Sequence, residues 1–207
     1  MLPTFELLLG VCGLRPPRSS VTRLELQLLL QFARGAGTVI EVGVFEGSTS
    51  LALGTALAEG GTIVLVDPFF RELRIEQWFG FSGSRRIARR TTRSLGKRRL
   101  WIETTSEAAA AERVGAAPAA LIFLDARHDY ASVLADLQAW AGHVGEGGVL
   151  AIHDCRPCLS RPELRAGEGS CRAVEEFLAA GGWSLAAEAD SLAVLKRSGR
   201  GDRSRGT

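Results

Sequence analysis

From Thr38 onward the chain alternates short, almost continuously apolar runs with longer stretches patterned like helices. TVIEVG, GSTSLALGTALAEG and TIVLVD come first, then AALIFLD, YASVLADLQAWAGHVG and GVLAIHD. A strand that is apolar at successive positions has no solvent face. Both faces of its sheet must be covered, and helices placed between such strands make them parallel. The alternation therefore predicts an α/β fold with a mostly parallel, doubly wound sheet. RRLWIE reads as a third strand, and WSLAAEADSLAVLKR as two strands joined by a short turn, an antiparallel pair that closes the sheet. Ser48 to Ser50 offer hydroxyl caps for the helix after the first strand, and Gly60-Gly61 a stop. Further helices are expected at Ser84 to Leu95, at Ser106 to Val114 before a turn at Gly115 to Pro118, and in SCRAVEEFLAAGG.

Ahead of this alternation, Val21, Leu24, Leu28 and Phe32 recur at helical spacing within residues 20–34, preceded by a loop from Arg15 to Ser20 with Pro16 and Pro17. The organisation expected is an N-terminal helical segment (1–37), an α/β domain (38–197) and a basic tail (198–207) too polar to order itself. The N-terminal helix is placed to cover a pocket or to meet a second subunit of a homo-oligomer. A chain of 207 residues, 46% hydrophobic, can bury an ordinary core in one domain. No apolar run approaches the roughly 20 residues that cross a bilayer. The opening MLPTFELLLGVCGL lacks the basic flank of a signal peptide, so the expected setting is the cytoplasm, with no membrane partner. Net charge is +2, and eight basic residues lie between Arg85 and Arg99. That run reads as a solvated helix face rather than a nucleic-acid surface. Cys155 and Cys158, with Cys12 and Cys171, read as free thiols rather than a zinc site.

The first strand ends in E-V-G-V-F-E-G and runs directly into a helix. In open α/β sheets, ligands bind beyond the carboxyl ends of the strands. Gly43 permits a sharp turn there, Val44 and Phe45 form the loop, and Gly47 lets the next helix approach a ligand. Amides at Ser48 and Thr49 can bind a carboxylate. Asp67, twenty residues past Gly47 at the end of the second strand, can accept the hydroxyls of a ribose. A dinucleotide fingerprint needs G-x-G-x-x-G, and Phe45 stands where its second glycine would be. The spacing acidic-x-Gly-x-x-x-Gly, from Glu41 to Gly47, suits a ligand without phosphates to cradle.

That spacing resembles class I S-adenosylmethionine-dependent methyltransferases, which are Rossmann-like. Residues 121–154, LIFLDARHDYASVLADLQAWAGHVGEGGVLAIHD, resemble a group of small bacterial methyltransferases often called methyltransferase family 24. There a strand ends in D-G-x-H-x-Y and is followed by a helix and P-G-G-hydrophobic-HD. This chain keeps Asp125, His128, Tyr130, Gly147-Gly148 and His153-Asp154, with Ala126 in place of the glycine. GSCRAVEEF looks like the helix that follows that group's active-site loop. The match runs over about residues 38–196. The resemblance implies S-adenosylmethionine as cofactor, bound by the Glu41–Thr49 loop, Asp67, Asp125 and an adenine contact at Ser106. Thr104 and Thr105 stand where the family more often has an acidic residue. The acceptor it implies is a small molecule, a sugar or other natural-product hydroxyl.

Asp125 and Asp154 end what should be adjacent strands, about 4.8 Å apart, with His128 on the loop above. Two mechanisms use this set. Asp125 and Asp154, with His153 in the third position, hold Mg²⁺ against the acceptor oxygen while His128 takes its proton. His153 is a poor partner for so hard a cation, since the related sugar enzymes have an acidic residue there. Otherwise no metal is used, and His128 is the base, oriented by a carboxylate. Phe69, Phe70, Trp78, Phe79 and Phe81, in the stretch 68–83, form either the wall of an acceptor pocket or the packing of an extra helix. Two other functions share the fold: an NAD-dependent oxidoreductase, and a non-catalytic nucleotide-binding protein.

Overall fold

The apolar runs become strands whose side chains alternate between two cores. In a computed structural model that describes residues 3–71, 73–112 and 117–198, the strands are β1 (Thr38–Val42), β2 (Thr62–Val66), β3 (Arg99–Ile102), β4 (Ala119–Leu124), β5 (Val144–Ile152), β6 (Trp183–Ala189) and β7 (Leu192–Arg197). They form one sheet in the order β3-β2-β1-β4-β5-β7-β6. β1 to β5 are parallel, and β7 runs antiparallel between β5 and β6. Ile40, Val64, Ile122, Leu124 and Leu150 face one core, and Val39, Ile63, Leu65, Leu121 and Phe123 the other. Each fully buried side chain of this kind contributes about 1.5–3 kcal/mol, so neither face can be left uncovered.

The helices are α1 (Pro3–Cys12), α2 (Arg23–Ala33), α3 (Ser48–Ala56), α4 (Arg74–Phe79), α5 (Gly83–Thr91), α6 (Ser106–Ala111), α7 (Tyr130–Trp140) and α8 (Gly169–Ala179). α6, α7 and α8 cover the first core with Ala109, Leu137, Trp140 and Val174, while α2, α3 and α5 cover the second with Leu29, Leu53 and Ala88. α2 begins with a capping box: the Thr22 hydroxyl accepts from the Glu25 amide, and the Glu25 carboxylate accepts from the Thr22 amide.

Several boundaries differ from the sequence reading. The Ser48–Ser50 hydroxyls do not cap α3. Its N-cap is Gly47, at φ 78°, with no side-chain bond, because the left-handed turn there leaves no place for a hydroxyl cap. α3 ends at Ala56, before the glycine pair. The Ser84–Leu95 segment divides into α5 and a 3₁₀ stretch, Arg93–Arg98, interrupted at Gly96. Gly147-Gly148 lies inside β5, where the register against β4 shifts, rather than in a turn before it. α6 stops at Ala111. Residues 115 and 116 of the expected turn at 115–118, and the tail from 199, lie outside the described residues.

The basic run serves the fold. Arg85 and Arg89 pair with Glu103, Arg90 donates to the Gly10 and Val11 carbonyls of α1, Arg98 to the Gly54 carbonyl, and Arg99 to the Arg89 carbonyl and Thr92 hydroxyl. The N-terminal loop is fixed by charge as well. Glu46 is fully buried and receives Arg15 through both oxygens, at 2.6 and 2.7 Å, together with the Arg18 amide and guanidinium. Burial works against the Glu46 carboxylate, but Arg15 and Arg18 together hold its pKa below the usual range.

Glu46→Ala would leave the Arg15 guanidinium buried beside a void. It should lower unfolding free energy by about 3 kcal/mol, measured by urea denaturation. A loss of only about 0.5 kcal/mol, the size of a surface substitution, would show that the ion pair does not hold the N-terminal loop.

Candidate active site

Strand order reverses between β1 and β4, since β1 leads outward through β2 and β4 outward through β5. A crevice opens at the carboxyl ends of two such strands. Gly43, at φ 92°, turns the chain here so tightly that a Cβ would sit 2.1 Å from the Asp125 carbonyl oxygen. The cleft encloses about 740 Å³, and Gly43, Asp67, Phe69, Phe70, Ser106 and Asp125 are on its wall. That volume suits a small-molecule ligand with an acceptor beside it.

Asp67 holds the loop. One of its oxygens accepts the Val44 and Phe45 amides at 2.8 and 3.1 Å, and the other accepts the Phe69 amide at 2.7 Å. Phe45 and Phe69 take positive φ, 51° and 48°, a costly conformation for such residues. The carboxylate that bonds their amides is what fixes it. Glu41 is buried beneath the loop, and burial pushes its carboxyl well above the usual range, with Ser50 as polar neighbour. Ser48 and Thr49 open α3, and the Thr49 hydroxyl lies 3.4 Å from that of Ser19.

Ser106 departs from its expected role. It lies on the cleft wall, but its hydroxyl donates to Asp136 and accepts from the Trp140 indole at 2.9 Å. Asp136 also lines the cleft, and burial pushes its carboxyl up to about 6, with the charges of Glu107 and Asp129 adding to the effect. The aromatic stretch does not act as one unit, and its Trp78 is 87% exposed. It contains the short helix α4, and Phe69 and Phe70 stand on the cleft wall, with Phe70 68% exposed. Leu7 of α1 joins that wall, whereas α2, the helix expected at 20–34, packs on the sheet.

At the ends of β4 and β5, Asp125, His128, His153 and Asp154 come together. His128 Nε2 lies 3.8 Å from both Asp125 Oδ1 and Asp154 Oδ2, with its side chain 40% exposed. Beneath it His153 is buried. Its Nε2 is 3.1 Å from Glu25 Oε2, and its Nδ1 is 2.9 Å from Asp125 Oδ1 and 3.5 Å from Asp154 Oδ1. The Asp125 contact is an ion-pair distance rather than an aligned hydrogen bond. Glu25 also accepts the Ser191 amide and hydroxyl at 2.9 and 2.6 Å. Asp154, at φ 50°, accepts Arg161 Nε at 2.5 Å, and its Oδ1 lies 3.0 Å from the Ser191 hydroxyl oxygen. The Ser20 hydroxyl is 3.5 Å from Asp125.

Burial opposes a charge on His153, but Asp125, Glu25 and Asp154 outweigh it and push its pKa up to about 10. Burial likewise opposes the Glu25 carboxylate, yet His153, Ser191 and the Thr22 amide bring it down to about 2.

This donor set does not fit Mg²⁺. The ion needs near-octahedral oxygens at about 2.0–2.1 Å. Here Asp125 and Asp154 are engaged by an imidazolium and a guanidinium, and both His153 nitrogens face carboxylates. Each unit of positive charge brought within about 4 Å of such a cation meets repulsion on the order of 4 kcal/mol. Among the described residues no group of three or more His, Cys, Asp or Glu side chains is arranged to hold a metal. His153 as a metal ligand is therefore corrected: it is a buried partner of Glu25. Glu25, Ser191, Arg161 and the Arg15–Glu46 pair were missed as site residues. Nothing in the local spacing around Glu25 points to this role, because its partners His153 and Ser191 lie 128 and 166 residues away. Cys155 is buried, its thiol pushed up to about 12 by burial, and all four cysteines are unpaired.

A family model described as a methyltransferase domain matches residues 40–155, more than half of the chain. No curated protein sequence matches. The fold is similar to an O-methyltransferase from Bacillus cereus in complex with SAH, at TM-score 0.68 and 16% identity over 94% of this chain and 90% of that one. It is also similar to the O-methyltransferase TomG from Streptomyces achromogenes, involved in tomaymycin synthesis and in complex with SAM, at 0.66 and 16% over 94% and 89%. A methyltransferase from Geobacter sulfurreducens gives 0.59 and 16% over 94% and 89%. At these identities the likeness is one of fold.

The two shifted groups set a pH window for stability. His153 is raised from 6.5 to about 10, so its contribution is complete below pH 6.5 and is lost as pH rises towards 10. Glu25 is lowered from 4.5 to about 2, so its contribution is complete above pH 4.5 and is lost as pH falls towards 2. Both are in full between those limits. Urea unfolding from pH 5 to 10 should show stability falling on the alkaline side, and Glu25→Gln should flatten that limb. An unchanged limb in the variant would contradict the pairing.

Proposed function

We propose that this chain, which belongs to the methyltransferase-domain family, transfers the methyl group of S-adenosylmethionine to an oxygen of a small-molecule acceptor. The observation that carries this reading is the cleft at β1 and β4. Its floor is cut away at Gly43, where a Cβ would strike Asp125, and its loop is organised by Asp67. A cofactor without phosphates fits there. A dinucleotide would have to pass its pyrophosphate across Phe45, whose side chain is 45% exposed at the loop tip. This argues against the oxidoreductase alternative. A purely binding role leaves Asp125, His128 and Asp154 at the strand ends without a task.

Bound there, the cofactor supplies a methyl carbon made electrophilic by its sulfonium. The rest falls to the chain. A carboxylate has about four acceptor positions, and backbone amides take three on Asp67, so Asp67 accepts one ribose hydroxyl rather than two. Phe69, Phe70 and Leu7 give the cleft apolar walls that exclude water and align the acceptor. His128, overhanging Asp125 and Asp154, takes the hydroxyl proton. Two of the compared folds are O-methyltransferases with SAH or SAM bound, which supports both cofactor and acceptor atom. A sugar or other natural-product hydroxyl is the acceptor class. No described helix is long and apolar enough to cross a membrane. Four unpaired cysteines fit a cytoplasmic setting.

Calorimetry should show S-adenosylhomocysteine binding and no NAD binding, and Asp67→Ala should weaken it by about 1.5–3 kcal/mol. NAD binding in its place would overturn the reading. With an acceptor in hand, His128→Ala should lower turnover by about 10²–10⁴ while cofactor affinity stays within about twofold of wild type. Wild-type turnover in that variant would remove His128 from the mechanism.

A further inference from the structure

We propose that the strand-end carboxylates are partnered by the protein itself: His153, fixed by Glu25, and Arg161 hold Asp125 and Asp154 in a set that excludes divalent metal. Methyl transfer here then needs none.

The contacts leave little room for another arrangement. His153 has a carboxylate oxygen opposite each ring nitrogen, Glu25 at 3.1 Å and Asp125 at 2.9 Å, so neither nitrogen offers a lone pair to a metal. The ring is fully buried and cannot swing aside into solvent. Asp154 Oδ1 already accepts a guanidinium N–H, and Arg161 also reaches the Ser20 carbonyl at 3.2 Å. Glu25, at the start of α2, fixes His153 and Ser191 from a distant part of the chain, and Arg161, seven residues beyond Asp154, pairs with that carboxylate directly. A metal at the two aspartates would have to displace the Arg161 charge-assisted bond and the His153 contact with Asp125. The outer oxygen of Asp154 is left facing His128 at 3.8 Å. The carboxylates are thereby assigned to orienting His128 rather than to binding an ion.

His153 and Arg161 are positioning residues, and the catalytic half of the proposal rests on the methyl-transfer reading. The metal half does not, and binding of Mn²⁺ alone tests it. Titrated with Mn²⁺ and followed by electron paramagnetic resonance, wild-type protein should bind none more tightly than about 1 mM. His153→Asp, which replaces the cation by an oxygen donor, should gain a single site at least about tenfold tighter. Turnover of wild type should be unchanged by chelation. One wild-type Mn²⁺ site that is lost in Asp125→Asn would overturn the proposal whether or not the His153 variant folds. A folded His153→Asp that ignores Mn²⁺ would overturn the claim that His153 excludes the metal. Failure of the methyl-donor reading shows separately, as absence of S-adenosylhomocysteine binding to wild type.

Discussion

The contact between His153 and Glu25 joins two parts of the molecule that the sheet alone would leave separate. Glu25 belongs to the first turn of α2, and His153 follows the end of β5, 128 residues later. Both are buried, and an unpaired charge in either place would cost several kcal/mol. The partners thus depend on each other, and α2 is pinned against the active end of the sheet. The same carboxylate caps its own helix and fixes the β6–β7 turn through Ser191. One side chain ties helix start, hairpin and active centre into a single unit.

A second buried carboxylate does the same for the cofactor loop. Glu46 sits between the glycines of that loop and gathers Arg15 and Arg18 from the N-terminal segment. Arg18 in turn lies over the Phe45 ring, 5.2 Å from its centre. The N-terminal segment therefore reaches the cleft wall, through Arg18 and through Leu7 of α1. Asp67 completes the pattern by collecting the amides of Phe45 and Phe69, two residues in strained conformations. Charge buried at strand ends is expensive, and here it shapes every loop around the cleft.

A histidine before the final aspartate brings a positive charge to a place where an oxygen donor would favour a metal. Its effect depends on Glu25, which lies in a helix that precedes the α/β domain altogether. The pair His153 and Glu25 is a unit that neither residue would suggest alone.

The sheet, its direction and its closing hairpin were legible in the sequence because burial on both faces leaves a periodic mark in each strand. Gly43, Asp67, Asp125, His128 and Asp154 were legible because strand ends in such a sheet must converge. What Glu25 does was decided only by tertiary structure, as were Ser106 turning to Asp136, Gly47 replacing a hydroxyl cap, and Arg161 and Ser191 reaching Asp154. Periodicity and local spacing record interactions a few residues apart. Pairings of buried charges across 128 or 166 residues leave no such mark. They arise only when packing removes water and each charge must find a partner within the fold.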